Sequence, residues 1–71
     1  MSEKELLKIF SKNLKRLMKE ENITQEELAN EIGVSRAIVS RYTIGQSIPS
    51  FLTVVKMADV LFCSVNEFLE S

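Results

Sequence analysis

The chain lacks histidine and tryptophan and has a single cysteine, Cys63, among its 71 residues. One cysteine cannot form an intrachain disulfide, and a lone thiol fits a reducing, intracellular compartment. Cys63 is interpreted as a small buried apolar residue. Without histidine, and with one thiol, the sequence offers no transition-metal site and no constellation of catalytic acid, base and nucleophile. We therefore expect no metal, no cofactor and no enzymatic activity.

Long apolar runs are also missing. No stretch approaches the ~20 apolar residues that span a bilayer, and the charged N-terminal segment, Met1 to Leu7, lacks the apolar core of a signal peptide. We expect a cytoplasmic protein with no membrane partner. The length predicts one domain, residues 1–71, and the apolar content of 45% is typical of a folded chain.

Acidic residues are absent from the central segment, although the net charge of the chain is −1. Between Ile32 and Met57 there is no Asp or Glu, while Arg36, Arg41 and Lys56 lie in that stretch. Residues 20–31, by contrast, hold five carboxylates, and the segment before them holds most of the lysines. This segregation favours a polyanionic partner for the acid-free segment, and the alternative is ordinary solvated charge.

Glycine and proline are scarce, and the segments between them predict helices. Apolar residues recur at three-four spacing from Leu7 to Met18, which predicts a first helix over about residues 2–21. Thr24 to Glu27 has the sequence of a capping box, which starts a second helix. Gly33 can adopt the left-handed conformation that ends it.

Serine caps predict the remaining helices. Ser35 starts a third helix that ends at Gly45, and Ser50 starts a fourth. The segment Ser64 to Glu67 is a second capping box and opens a short fifth helix. The expected fold class is therefore all-α, with five helices and short connections.

The second and third helices form a predicted helix-turn-helix, in which the later helix enters the major groove of DNA. Ala29 allows the two helices to cross closely, Gly33 supplies the turn and Val34 packs beneath it. This arrangement leaves the outer face of the third helix free to contact bases.

The joint pattern resembles the lambda-repressor-like family, also called the Cro/cI or XRE type, over about residues 12–69. The resemblance is carried by Thr24-Gln25-Glu26-Glu27-Leu28-Ala29, Gly33-Val34-Ser35, Gly45, Pro49, Ser50, Ala58, Leu61 and Ser64 to Leu69. It implies a five-helix domain, with the helix-turn-helix in helices 2 and 3, that binds operator DNA as a dimer. It also implies a bacterial or phage origin.

Carried over position by position, the resemblance implies which residues contact DNA. Base contacts would come from the outer face of the third helix, at Arg36, Ala37, Ile38 and Arg41. Arginine pairs bidentately with guanine, which contributes about 1–3 kcal/mol of discrimination, whereas Ile38 would meet thymine methyl groups or pack partly in the core. Backbone contacts would come from Gln25, Ser35, Ser40, Gln46, Ser47 and Ser50.

Four positions depart from the family pattern, and one of them is Leu52, which stands where relatives commonly carry a polar residue. Thr43 and Ile44 stand where relatives often carry a glutamate and then a basic or polar residue, which puts local order at the end of the third helix in question. Phe62 replaces a glycine after the fourth helix, where a left-handed aromatic would be strained. Either that helix ends differently, or burial holds Phe62 in place.

The last two helices carry more apolar residues than a small monomer can cover, which predicts a homodimer interface. The predicted interface residues are Leu52, Phe62, Val65, Phe68 and Leu69. The alternative is that Phe62 and Phe68 complete a thin core.

The sequence therefore predicts a sequence-specific, double-stranded DNA-binding regulator of transcription, acting as a repressor and needing no small-molecule ligand. The alternative is a protein-interaction module, such as an antitoxin or a relative that has lost DNA binding. The low net charge and the apolar Ile38 and Ile44 favour this alternative, whereas Arg36 and Arg41 oppose it.

Overall fold

The computed structural model describes all 71 residues and contains four α-helices and one 3₁₀ helix. The helices are α1 (Glu3–Glu20), α2 (Gln25–Ile32), α3 (Arg36–Thr43), α4 (Phe51–Val60) and the 3₁₀ helix (Val65–Leu69). The predicted all-α class is confirmed. The fifth helix differs in type, because its five residues form one short 3₁₀ segment before the backbone becomes extended at Glu70. None of the helices is long and apolar enough to cross a membrane.

Each α-helix begins at a hydroxyl cap. The side chains of Ser2, Thr24, Ser35 and Ser50 accept the backbone N–H three residues later at 3.1–3.3 Å. At α2 the box is complete, since the Glu27 carboxylate accepts the Thr24 N–H at 2.9 Å. These hydrogen bonds from Thr24, backbone first and then side chain, hold the pKa of Glu27 below its ordinary value.

Phe62 closes α4 in the left-handed conformation, at φ 53°. Its N–H bonds to the Asp59 carbonyl, and the Cys63 N–H bonds to the Ala58 carbonyl, which together form a Schellman motif. The helix thus ends in the left-handed conformation and Phe62 is 83% exposed, so neither alternative, a different end of the helix or burial of Phe62, is correct. The cap hydrogen bonds hold it instead, against about 1–2 kcal/mol of backbone strain.

The core is built on one face of α1. Phe10, Leu14 and Leu17 are buried there in one cluster with side chains of the other helices, among them Leu28, Val39, Met57, Leu61 and Phe68. The rings of Phe10 and Phe68 lie 5.3 Å apart between centroids. Phe68 is only 1% exposed, so its assignment to a dimer interface is wrong, and it completes the core as the alternative proposed.

The side chain of Asn13 fastens the 3₁₀ helix to α1. Its Nδ2 donates to the carbonyl of Phe68 at 2.9 Å and to the carbonyl of Glu70 at 2.6 Å. Asn13 is itself buried. Because both acceptors are backbone atoms, the amide fixes the position of the chain end and so seats the Phe68 ring.

Cys63 is half-buried and packs against the core. Burial raises the pKa of its thiol, and the nearby Glu67 carboxylate raises it further. The thiol is therefore protonated near neutral pH and is a weak nucleophile. Cys63 was interpreted as a small buried apolar residue; it packs against the core as that interpretation requires, but it is only partly buried.

Candidate nucleic-acid interface

The turn between α2 and α3 is held by a single carbonyl group. The oxygen of Ala29 accepts the N–H groups of Gly33 and Val34 at 2.9 and 3.0 Å. Gly33 has φ 77°, and a Cβ built on it would meet nothing within 4 Å. Backbone conformation therefore requires glycine here, and lack of space does not. The turn directs α3 so that Val39, Tyr42 and Thr43 are buried.

The opposite face of α3 is open to solvent. Arg36, Ala37 and Arg41 are exposed and Ser40 is half-buried. Arg36, Ala37 and Ser40 line one shallow depression, while Arg36 also borders a second one with Thr24, Gln25 and Glu26. The start of α2 and the start of α3 thus share a continuous surface. Neither arginine of α3 forms an ion pair within the chain.

Ile38 lies at the edge of this surface. Its side chain is half-buried and packs against the core cluster. The N–H of Ile38 is also the group that the Ser35 hydroxyl caps, at 3.3 Å. Only part of this side chain is available to a ligand, so a contact between Ile38 and bases stays a prediction from the family pattern.

Thr43 joins the two helices of the motif. Its Oγ1 donates to the Ser40 carbonyl at 2.7 Å and accepts from Gln25 Nε2 at 3.4 Å. Thr43 is 4% exposed, so its hydroxyl is held without access to water. The end of α3 is further closed by hydrogen bonds from Gly45 to Tyr42 and from Gln46 to Arg41. From the sequence, local order at the end of α3 was in question because Thr43 and Ile44 depart from the family pattern, and no role was predicted for Thr43.

The loop after α3 contributes less to the shared surface. Gln46 is exposed and Ser47 is half-buried, but neither lines the two depressions around Arg36. The Ser50 hydroxyl is committed to its cap, where it accepts the Thr53 N–H at 3.3 Å and donates to Thr53 Oγ1 at 3.1 Å. The structure therefore leaves the three predicted backbone contacts in this loop outside the site around Arg36.

The remaining predicted interface residues separate into two places. Leu69 and Val65 line an apolar slot whose other walls are Phe10, Ile48, Pro49, Phe51, Val54 and Phe68. Leu52 is 65% exposed but does not line this slot. Phe62 instead borders a groove between α2 and α4. Phe51, which is 76% exposed and also lines this slot, was not predicted from the sequence.

The family model described as helix-turn-helix matches residues 14–68 of the chain. Among curated proteins, the chain is 29% identical over 62 residues to the HTH-type transcriptional regulator YqaE of Bacillus subtilis, covering 87% of the chain and 53% of YqaE. It is 39% identical over 46 residues to the cryptic phage CTXphi transcriptional repressor RstR of Vibrio cholerae, covering 65% and 41%. The chain thus spans about half the length of these relatives.

Solved structures show the same arrangement of helices. The SOS-response transcriptional repressor LexA from Eubacterium rectale superposes with a TM-score of 0.89 and 30% identity, covering 100% of this chain and 76% of that one. The restriction-modification controller protein C.AhdI from Aeromonas hydrophila gives a TM-score of 0.81 and 29% identity, covering 87% and 94%. The likeness therefore extends over the whole fold and is not limited to the turn.

Proposed function

This chain belongs to the helix-turn-helix family, and we propose that it is a sequence-specific regulator of transcription that places α3 in the major groove of operator DNA. One observation carries the proposal: Arg36 and Arg41 are exposed and unpaired on the outer face of α3. A helix face with two free guanidinium groups, in a segment without carboxylates, suits a groove lined by base acceptors and bordered by phosphates.

The proposed roles follow from position on this face. Arg36, in the first turn of α3, reads guanine, and the methyl group of the neighbouring Ala37 suits a thymine methyl. Arg41 lies more than one turn later and contacts a base or a phosphate. Gln25 and Ser35, at the starts of the two helices, contact the sugar-phosphate backbone, where N–H groups of helix N-termini also favour anions.

We propose repression as the outcome, by occlusion of the promoter. The support is that the phage relative RstR and the structural neighbour LexA are both named as transcriptional repressors. This function needs no catalytic group in the chain, and it places the protein in the cytoplasm with the DNA.

We propose further that the chain binds a two-fold operator as a homodimer through the apolar slot. Phe51 and Leu69 border the slot and are 76% and 50% exposed, and Leu52 beside Phe51 is 65% exposed. Phe51 and Leu69 thus expose apolar surface on the same slot, which favours burial against the same surface of a second copy. Leu52 lies outside the slot. Phe68 forms the floor of the slot and contributes through the core.

Selection of bound sequences from a random duplex pool tests the DNA-binding proposal. The wild-type chain is expected to enrich one motif, Arg36→Ala to lose preference at one base position, and Lys56→Ala to select the wild-type motif. Lys56 is the matched control because it is an exposed cation in the same acid-free segment but lies on α4. If no motif is enriched, the DNA-binding proposal fails and the chain is an interaction module instead. If all three proteins select the same motif, Arg36 does not read a base.

A further inference from the structure

The outer side of α1 carries an unpaired row of lysines, which we call the lysine face: Lys4, Lys8, Lys12, Lys15 and Lys19. Spacings of three and four residues place them on one side of the helix, opposite the buried Phe10, Leu14 and Leu17. All five are exposed, and the two ion pairs of the chain both belong to Arg16. The row runs for about 22 Å along the helix axis.

A groove of the opposite charge lies between α2 and α4, and we call it the acidic groove. Its lining is Ile23, Glu27, Asn30, Glu31, Asp59, Val60 and Phe62. Three carboxylates and three apolar side chains share this space, and no cation is among them. None of the three carboxylates forms an ion pair.

The exposed ring of Phe62 borders the acidic groove and has no structural role in the monomer. The residue occupies the left-handed conformation at φ 53°, where glycine would fit without strain, and its ring is 83% exposed. Neither the cap of α4 nor the core gains from a phenyl ring at this position. A strained, exposed aromatic residue in a carboxylate-lined groove is suited to contact an alkyl-ammonium side chain, through its stem and by a cation–π interaction.

We propose that the lysine face of one copy docks in the acidic groove of a second copy. The spacings agree: Glu27 and Glu31 lie four residues apart on α2, and Lys15 and Lys19 lie four residues apart on α1, about 6 Å along each axis. The Phe62 ring then packs on a lysine stem between the ion pairs. A DNA duplex on the lysine face would leave the acidic groove without a partner, so the observations favour a second copy.

This contact is heterologous, because the two copies use different surfaces, and it leaves the apolar slot free. It can therefore join neighbouring dimers in a row. Exposed ion pairs are individually weak, so the contact is weak in free solution. On DNA, adjacent sites raise the effective concentration of one copy beside the next, and binding becomes cooperative.

A charge swap tests the proposal with the full chain. Lys15→Glu damages only the lysine face and Glu31→Lys only the acidic groove; both residues are exposed and neither side chain forms a hydrogen bond or ion pair. Labelled Lys15→Glu protein is titrated with unlabelled Glu31→Lys protein and followed by amide chemical shifts. We expect salt-sensitive shifts around Glu31, Asp59 and Phe62, and none when either variant is titrated with itself. The double variant, whose net charge equals that of the wild type, regains self-association.

Two further variants separate the contact from general charge and stability effects. Phe62→Gly is expected to unfold at a higher temperature yet to weaken the association about two- to five-fold. Glu26→Lys makes the same charge change on α2 but outside the groove, and it should leave the association intact.

Three results would overturn the proposal: no salt-sensitive shifts in the mixture, equal loss with Glu26→Lys and Glu31→Lys, or unchanged association of Phe62→Gly. A fourth would assign the lysine face to DNA, namely a loss of affinity for a single site by Lys15→Glu as large as that of Arg36→Ala. All readouts except this last one are taken without DNA, so failure of the DNA-binding proposal leaves the test valid.

Discussion

The side-chain amide of Gln25 donates to the hydroxyl of Thr43, at 3.4 Å between Nε2 and Oγ1, across the two helices of the helix-turn-helix. Thr43 in turn donates to the Ser40 carbonyl at 2.7 Å. The hydroxyl therefore orients a residue at the first turn of α2 from the last turn of α3. Gln25 is a proposed phosphate contact, so we predict that Thr43 affects DNA binding through Gln25.

Thr43→Val is expected to weaken operator binding several-fold while the free energy of unfolding changes by about 1 kcal/mol. Valine keeps the shape of the side chain but cannot accept from Gln25. The measurement is a titration of labelled operator, with urea unfolding beside it. Thr43→Ser keeps the hydroxyl and should retain most of the affinity; equal losses for valine and serine would mean that Thr43 acts by packing alone.

The capping box of α2 makes part of the stability depend on pH. The pKa of Glu27 is lowered in the folded chain, so its stabilisation is complete above the ordinary value of 4.5 and is lost as the pH falls through the lowered value. Glu27→Gln retains a hydrogen-bonding group without the charge. We expect the wild type to have the higher melting temperature near pH 7 and the two proteins to converge as the pH falls through the lowered pKa of Glu27. A difference in melting temperature that persists in acid would mean that Glu27→Gln acts through the shape of the side chain and not through its charge.

Phe68 and Leu69 are adjacent, yet mutation of Phe68 should mainly lower the stability of the monomer, whereas mutation of Leu69 should mainly weaken the proposed dimer. Phe68→Ala removes a ring that is 1% exposed and should cost about 3–5 kcal/mol of unfolding free energy. Leu69→Ala removes a side chain that is 50% exposed and should change monomer stability by only about 0.5 kcal/mol.

Sedimentation separates their effects on association. Leu69→Ala is expected to weaken the proposed dimer while it remains folded. The milder Phe68→Leu, which keeps an apolar floor in the slot, should still dimerise. A Leu69→Ala protein that sediments as the wild type does would contradict the slot as the dimer interface.

A substitution in the loop after α3 is predicted to increase the affinity for operator DNA. Gln46 is exposed and neutral, where the family pattern places a contact with phosphates. Gln46→Lys should increase operator affinity at low salt and steepen the dependence of log K on log salt by about 0.9, the release expected from one more neutralised phosphate. Asn66→Lys adds the same charge on the 3₁₀ helix and should leave the slope unchanged. Equal slopes for both variants would place this loop away from the DNA.

The sequence predicted the starts of the helices because caps are local. Thr24 and Glu27 lie three residues apart and hydrogen-bond to each other, so no distant contact is needed for the capping box to form. The turn at Gly33 is equally local. Of the proposed DNA surface, the exposure of Arg36 and Arg41 followed from their helical phase relative to the buried Val39 and Tyr42.

What the sequence could not predict depends on contacts between distant residues. Phe68 was assigned to an interface because its partner, Phe10, lies in another helix at the opposite end of the chain. The bond between Gln25 and Thr43 depends on the crossing of two helices, which periodicity does not encode. Phe62 shows the same limit: the sequence left open whether α4 ends differently or burial holds Phe62. The path of the chain after α4 decides that the residue is left-handed and exposed.

The hydrogen bonds that Asn13 donates to the carbonyl groups of Phe68 and Glu70 can form only late in synthesis. The acceptor on Phe68 lies 55 residues later in the chain than Asn13. At about 5–20 residues per second, the ribosome needs roughly 3–11 s to make that interval. During this time α1 is already synthesised, but its apolar side cannot yet pack against the ring of Phe68, and the side-chain amide of Asn13 lacks its two carbonyl acceptors. The nascent chain therefore exposes the apolar side of α1 until the segment around Phe68 has emerged, which leaves an interval in which chaperones can bind.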